Sequence, residues 1–165
     1  MARFPRRGLA IIAACLTVTV SLAAVPKDMA MYVGGTIPNL KEKTEGRLST
    51  SDASALTFQA KYDTPLSIPY KSITSLEYGQ KAGRRVGMAI LVSPLALFSK
   101  KRNHFLTVTY NDAAKREQAA VFELGKDIVR TTLTVLQVRT GKDVEPQDAE
   151  ACKQFKTPKD CEGSK

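Results

Sequence analysis

Residues 105–124 read FLTVTYNDAAKREQAAVFEL, which is two strand-like runs separated by a polar turn. Apolar and polar residues alternate over Phe105–Tyr110, the period of a strand that buries one face. Asn111-Asp112 begins a turn, and Glu117–Leu124 supplies the second run. The stretch therefore predicts two neighbouring strands that contribute an apolar face to the core.

The hydrophobic period changes immediately after these strands. Within Lys126–Thr140, apolar residues recur at three- and four-residue spacing: Val129, Leu133 and Leu136. Asp127 is expected in the first helical turn, Arg139 in the last, and Gly141 at the position of a left-handed cap. One amphipathic helix should therefore follow the strands.

The chain before residue 105 predicts further short strands. Turn-forming residues separate runs that are rich in β-branched and aromatic residues. The expected strands are Met31–Ile37, Gly46–Ser51, Ala55–Ala60, the run from Leu66 to Ile68 and the run from Ile73 to Gly79. Gly34-Gly35 predicts a bulge or a close backbone approach in the first of them. The expected fold class is mainly β with one C-terminal α-helix.

An apolar insertion at about residues 82–102 interrupts this strand pattern. Residues 81–102 read KAGRRVGMAILVSPLALFSKKR, in which Val86–Phe98 carries no charge. Basic residues bracket the apolar run: Arg84, Arg85, Lys100, Lys101 and Arg102. As a helix the run would rise only ~20 Å against a ~30 Å hydrocarbon core, so a full crossing is not expected. Pro94 favours a short re-entrant or interfacial hairpin instead.

Three roles remain open for this insertion. The apolar run packs on its own sheets, dips into a membrane, or docks against a protein partner. Basic residues near anionic lipid contribute ~1 kcal/mol each, which favours membrane contact over self-packing. The residues expected to contact a membrane or a partner are Arg84, Arg85, Ile90, Leu91, Leu95, Phe98, Lys100, Lys101 and Arg102.

The N-terminal residues have the three parts of a secretory signal peptide. Arginines within residues 3–7 form a basic region, and the apolar run Gly8–Ala24 follows them. Ser21 and Ala23 place small residues at the two positions that a signal peptidase inspects, which predicts cleavage after Ala23, and hence a signal peptide at 1–23 and a periplasmic location. An uncleaved N-terminal anchor and lipoprotein processing at Cys15 remain alternatives.

The charge balance favours anionic partners. The full chain carries +9, and without the arginines of the signal 22 basic residues remain against 16 acidic residues, or +6. An anionic membrane surface fits this balance, and a protein or acidic polymer partner stays possible. Nucleic acid is not expected, because no aromatic residues lie among the basic brackets and because export removes the usual target.

The polar tail at residues 143–165 is expected to be loose apart from its cysteines. Cys152 and Cys161 remain after signal removal, and an exported chain most simply joins such a pair as a disulfide. Two free thiols are the alternative. A zinc site is poorly supported, because the single histidine, His104, lies far away in sequence.

Signatures of catalysis are absent from the sequence. It contains no G-x-S-x-G element, and neither tail cysteine has a nearby histidine in sequence. The Gly125-Lys126 pair resembles a phosphate-binding loop only superficially, since Asp127 stands where a serine or threonine would hold magnesium. His104 is expected to be a solvated loop histidine. No enzyme activity, metal, cofactor or small-molecule substrate is therefore expected.

Four segments together resemble the pleckstrin-homology-like (PH-like) superfold in its bacterial, GRAM-like forms. They are GRLSTSDASALTF at 46–58, LSIPYKSITSLEYG at 66–79, FLTVTY at 105–110 and AAVFEL at 119–124. The resemblance covers about Tyr32–Lys142 of a domain at 31–142, and it extends to exported bacterial proteins with a similar basic-bracketed insertion. It implies two roughly orthogonal antiparallel sheets, as a sandwich or partly open barrel, closed at one end by the helix. The Lys/Arg pattern of the lipid-specific members is not recognisable, so no binding residue carries over.

These observations favour an exported, non-enzymatic PH-like module that is held peripherally at a membrane surface. The alternative is a soluble envelope domain that binds a protein or an anionic polymer and packs residues 86–98 on its own core.

Overall fold

A computed structural model describes residues 29–60, 65–80, 103–147, 149–153 and 161 of the chain. Its strands are β1 (Ala30–Gly35), β2 (Thr44–Ser49), β3 (Ala55–Ala60), β4 (Leu66–Pro69), β5 (Ile73–Gly79), β6 (His104–Asn111), β7 (Glu117–Leu124) and β8 (Val144–Pro146). A 3-10 turn, Tyr70–Ser72, joins β4 to β5. Helix α1 (Val129–Thr140) follows β7, and the short helix α2 (Ala149–Cys152) follows β8.

The described strands form a single curled sheet in the order β4-β3-β2-β1-β7-β6-β5-β8. Neighbouring strands are antiparallel, except that β8 pairs with β5 in parallel. Residues 105–124 form the predicted strand pair, in which Thr107 lies opposite Val121. The expected fold class, mainly β with a C-terminal helix, is confirmed.

The inner face of the curled sheet carries the main core. Alternate residues of β6 and β7 point inward, and Leu106, Val108 and Phe122 are fully buried. The Phe122 ring packs against Phe58, with 5.2 Å between ring centroids, and against Tyr32, with 5.9 Å. Burying a side chain such as Leu or Phe contributes about 1.5–3 kcal/mol. These contacts join β1, β3 and β7 across the inner face of the sheet.

Helix α1 packs its apolar stripe against the same core. The buried apolar side chains of the stripe are Val129, Leu133 and Leu136. The helix ends at Gly141, which has a left-handed φ of 65° and donates its N–H to the Gln137 carbonyl at 2.9 Å. Because residues with a Cβ resist this conformation, the glycine ends the helix where the sequence predicts.

The start of α1 differs from the prediction. The Ile128 N–H donates to the Gly125 carbonyl at 3.1 Å in a turn, and the helix begins at Val129 instead of Lys126. Asp127 therefore lies outside the first helical turn, and the prediction that it occupies that turn is wrong. Ile128 stands at the cap position and has no side-chain oxygen that could accept a hydrogen bond from a first-turn N–H.

Strand β1 contains the irregularity that its paired glycines predict. Its register against β7 shifts between Tyr32 and Gly34. Gly35 has a φ of 147°, and a Cβ at this position would clash with the Ala119 carbonyl oxygen. The backbones of β1 and β7 therefore approach each other where no side chain fits.

The described part of the tail belongs to the folded domain. Strand β8 places Val144 opposite Leu76 of β5, and both Val144 and Ala151 are fully buried. Cys152 and Cys161 form a disulfide, with an S–S distance of 2.00 Å and a Cα–Cα distance of 5.8 Å. The disulfide prediction is confirmed. The prediction of a loose tail is wrong for these residues, because β8 extends the sheet and α2 packs beside it.

The outer face of the central strands is buried as well. Val33, Phe105 and Val121 form a second apolar cluster in which each residue is at most 2% exposed. Thr107 and Thr109 of β6 are also buried on this side. Strand β6 is therefore buried on both faces, whereas its alternating sequence predicted a strand with one solvated face.

Candidate functional site

The two strands that flank the apolar insertion are neighbours in the sheet. The insertion follows β5 and precedes β6, and Gly79 near its start pairs directly with Phe105 near its end. The chain therefore leaves and re-enters the sheet at one edge. The predicted contact residues themselves lie outside the described residues: Arg84, Arg85, Ile90, Leu91, Leu95, Phe98, Lys100, Lys101 and Arg102. Ala23, the predicted cleavage site, also lies outside them.

Three other parts of the chain reach the same edge. Ala30 pairs with Leu124, and Leu124 pairs with His104, so β1 begins where β7 ends and β6 begins. The Gly125 N–H donates to the Met29 carbonyl at 2.8 Å, which ties the entering N-terminal residue to the turn before α1. Strand β8 ends beside β5 at this edge as well. We call this edge of the sheet the insertion edge, and it is formed by the strand ends at Ala30, Leu124, His104 and Gly79.

An open cleft of about 470 Å³ lies at the insertion edge. Among the described residues it is lined by His104, Lys126, Val129, Arg130 and Lys153. Lys126 precedes α1, Arg130 lies in its first turn, and Lys153 follows α2. The sheet, the helix and the tail thus each contribute to one positively charged concavity, which we call the basic cleft.

The cations of the basic cleft are exposed and available for an anion. Lys126, Arg130 and Lys153 are all exposed to solvent, and none of them forms an ion pair with another described residue. Asp127 is also exposed, but it is not among the residues that line the cleft. A concave site lined by charges of one sign concentrates its field, so the cleft can attract phosphate, sulfate or carboxylate groups.

The basic cleft is not apparent from the sequence pattern. The sequence places Lys126 in a pair that resembles a phosphate-binding loop and at the start of the expected helix, and it places Lys153 in the polar tail. The three cations come together only because β8 and α2 return the chain to the start of α1. The local signal that was present is a lysine and an arginine four residues apart at the beginning of a helix, which by itself is common.

His104 has a different setting from the one predicted. It opens β6, is only partly exposed, and its Nδ1 lies 2.6 Å from the hydroxyl oxygen of Tyr78. The two rings stack, with an interplanar angle of 11° and 6.1 Å between their centroids. Burial lowers the pKa of His104 below its usual value of 6.5 and so favours the neutral imidazole. The prediction of a solvated loop histidine is therefore wrong.

The other shifted pKa values of the described residues have local structural causes. Burial raises the pKa of Tyr32 to about 12 and raises that of Glu123. Hydrogen bonds from the Ser54 side chain and backbone lower the pKa of Asp52, and backbone and side-chain hydrogen bonds from Arg116 lower that of Asp112. No group of histidine, cysteine and carboxylate side chains within the described ranges has the geometry of a metal site.

Comparisons with known proteins do not identify a family. No protein-family model matches the chain, and no curated protein is detectably similar in sequence. Within residues 29–60, 65–80, 103–147, 149–153 and 161, no helix has the length and apolar character needed to cross a bilayer.

Proposed function

We propose that the protein is an exported, non-enzymatic PH-like domain that is held peripherally at an anionic membrane surface by its insertion edge. One observation carries this proposal: the strand ends that flank the insertion meet beside the basic cleft, because Gly79 pairs with Phe105 and His104 lines that cleft. The strand ends that flank the insertion and the described cations therefore lie at one edge of the domain.

Electrostatic and hydrophobic contributions would act together at this edge. Each basic residue near an anionic leaflet contributes ~1 kcal/mol, and the five bracket residues add to the three cations of the cleft. Burying several hundred Å² of the run Val86–Phe98 would contribute on the order of 10 kcal/mol at ~25 cal/mol per Å². Peripheral attachment then needs no membrane-spanning helix.

The disulfide and the topology support the other parts of the proposal. A disulfide between Cys152 and Cys161 persists in an oxidising compartment, which agrees with the predicted secretory signal and a periplasmic location. The curled antiparallel sheet from β4 to β5, with α1 packed against its inner face, is consistent with the partly open barrel and closing helix that the PH-like resemblance implies. Strand β8 and α2 lie beyond the segment that carries the PH-like resemblance.

A binding experiment tests the membrane proposal. The mature chain, from residue 24 onward, should co-sediment with vesicles that contain phosphatidylglycerol and should stay in solution with purely zwitterionic vesicles. Binding should weaken as salt is raised, because counterions screen exposed charges. In cells, the mature protein should fractionate with membranes at low salt. Complete recovery in the soluble fraction under that condition would reject the proposal.

A second candidate function is favoured by the buried outer face of the sheet. Val33, Phe105 and Val121 are covered, and Phe105 lies three residues beyond the end of the insertion. Under this alternative, residues 86–98 supply the cover, and the protein is a soluble envelope domain that binds a protein or an anionic polymer. The apolar run would then contribute to stability and not to attachment.

One substitution separates the two candidates. With membrane attachment, Leu91→Asp should abolish vesicle binding and leave the melting temperature almost unchanged, because the lost apolar contact lies outside the domain. With self-packing, the same change places a charge in apolar surroundings and should cost several kcal/mol or cause aggregation. Thermal melting and vesicle co-sedimentation of the same preparation distinguish these results.

A further inference from the structure

The basic cleft brings three like charges together. Lys126 precedes α1, Arg130 lies in its first turn, and Lys153 follows α2. The described residues that line the cleft include no aspartate or glutamate. Three cations around one open concavity repel one another, and this repulsion is strongest at low ionic strength.

The arrangement does not stabilise the helix beside it. The amino-terminal end of a helix carries a partial positive charge, so cations there are less favourable than acids. The first turn of α1 contains no acidic residue and does contain Arg130. The placement of these cations is therefore better explained by an anion that they attract than by the stability of the fold.

The walls of the cleft suit a phosphate group. Arginine presents a planar fork that matches phosphate oxygens, and lysine supplies a mobile ammonium group. Arg130 provides the first kind of donor, and Lys126 and Lys153 provide the second. Val129, at 4% exposed, and the partly exposed His104 form the less hydrated part of the lining, where charge-assisted hydrogen bonds are stronger.

We infer that the basic cleft is a phosphate-binding site that takes the phosphodiester of an anionic lipid headgroup or a dissolved phosphate anion. Lys126, Arg130 and Lys153 hold the phosphate oxygens. The inference deepens the proposed membrane role, and its lipid source rests on that role. The cleft itself is tested without any membrane present, so its failure and the failure of membrane attachment give different results.

His104 makes the test direct, because it is the single histidine of the chain and it lines the cleft. Its ring proton signals are followed by NMR while inorganic phosphate is added at constant pH and constant ionic strength, with sodium chloride as the balancing salt. A parallel titration uses short-chain phosphatidylglycerol below its micelle concentration. The variant is Lys126→Gln/Arg130→Gln, and the matched control is Lys41→Gln/Lys71→Gln, which removes two exposed cations away from the cleft.

The expected result is a saturable shift of the His104 signals in the wild type and in the control. The Lys126→Gln/Arg130→Gln variant should bind at least about tenfold more weakly, because it loses two charge-assisted contacts. Tighter binding of phosphatidylglycerol than of inorganic phosphate would support the lipid source, and the reverse order would support a dissolved anion. Phosphate should also raise the melting temperature of the wild type and the control but not that of the variant.

Three results would overturn the inference. They are a shift that does not saturate, an equal shift when only sodium chloride is added, and an undiminished shift in the folded Lys126→Gln/Arg130→Gln variant. Vesicle binding by a protein that shows any of these results would leave membrane attachment standing and remove the phosphate site.

Discussion

The two ends of helix α1 differ in whether their arginine contacts the rest of the domain. At the C-terminal end, Gly141 caps the backbone, and Arg139 donates from Nη1 to the Ala53 carbonyl at 3.0 Å while its guanidinium lies 5.9 Å from the centre of the Tyr70 ring. At the N-terminal end, Ile128 offers no side-chain cap, and Arg130 lies exposed in the first turn. A cation is stabilising at the C-terminal end of a helix and destabilising at the N-terminal end. The comparison indicates that one end serves the fold and the other retains charges for a ligand.

The largest expected effect concerns the disulfide between Cys152 and Cys161. Cys152 is the last residue of α2, and Lys153 follows it at the N-terminal end of α1. Cys152→Ala/Cys161→Ala should lower the free energy of unfolding by about 2–4 kcal/mol, the range usual for a disulfide. Both cysteines are buried, so the expected loss of stability is larger than the small loss that a loose tail would give. Urea unfolding of the variant, and of the wild type in a reducing agent, measures the loss. An unchanged midpoint would show that the tail contributes nothing to the fold.

The next effect tests the C-terminal end. Arg139→Gln should destabilise the protein by about 1 kcal/mol, because it removes a charged hydrogen bond and the cation–π contact with Tyr70. Arg47→Gln, at an exposed position of β2, is the matched control and should be nearly silent. Equal midpoints for the two variants in urea would mean that the Arg139 contacts are energetically neutral.

A smaller effect of opposite sign is expected at the N-terminal end. Arg130→Gln should raise the stability by about 0.3 kcal/mol at low salt, because a cation is removed from the positive end of the helix. The gain should vanish at high salt, where the helix charge is screened. Differential scanning calorimetry at two salt concentrations measures it. A loss of stability would mean that Arg130 supports the fold, and the contrast between the helix ends would fail.

The smallest effect is the pH dependence that His104 contributes. Its folded pKa lies below the unfolded value of 6.5, so the unfolded state binds the proton first as pH falls. The stability that His104 contributes is present above pH 6.5 and is lost as pH falls through the folded pKa. Burial raises the pKa of Glu123, so the stability that Glu123 contributes is present at lower pH and is lost as pH rises. Melting curves of the wild type and of His104→Gln from pH 7.5 to pH 5 measure the contribution of the histidine. The wild type should lose more stability on acidification than the variant. Parallel pH profiles of the two proteins would contradict this expectation.

The local sequence pattern was sufficient to predict the bounds of several strands that bury an apolar face. Ala55–Ala60, Ile73–Gly79 and Glu117–Leu124 have the predicted bounds, because alternation, turns and propensity agree there. The start of α1 was missed because Gly125 and Ile128 close a turn that the helical period does not reveal. The tail was missed because its few apolar residues form no period, although Val144 is fully buried.

The candidate site depended more strongly on topology. The sequence indicated the insertion and its basic brackets, since they are contiguous. The basic cleft joins Lys126 and Arg130 to Lys153 through the parallel pairing of β8 with β5. No spacing rule within the sequence specifies such a contact, because it depends on which edge of the sheet the tail extends.

Tryptophan fluorescence tests the central claim, that the insertion edge holds the domain at an anionic surface, most directly. The chain contains no tryptophan, so Leu91→Trp introduces a single reporter into the apolar run, and Val138→Trp, at a 77% exposed position of α1, is the control. With phosphatidylglycerol vesicles, the emission of Leu91→Trp should shift to shorter wavelength and should be quenched by brominated lipid, whereas Val138→Trp should respond to neither. A Leu91→Trp emission that is already at short wavelength without vesicles and is unaffected by brominated lipid would contradict the claim and favour self-packing.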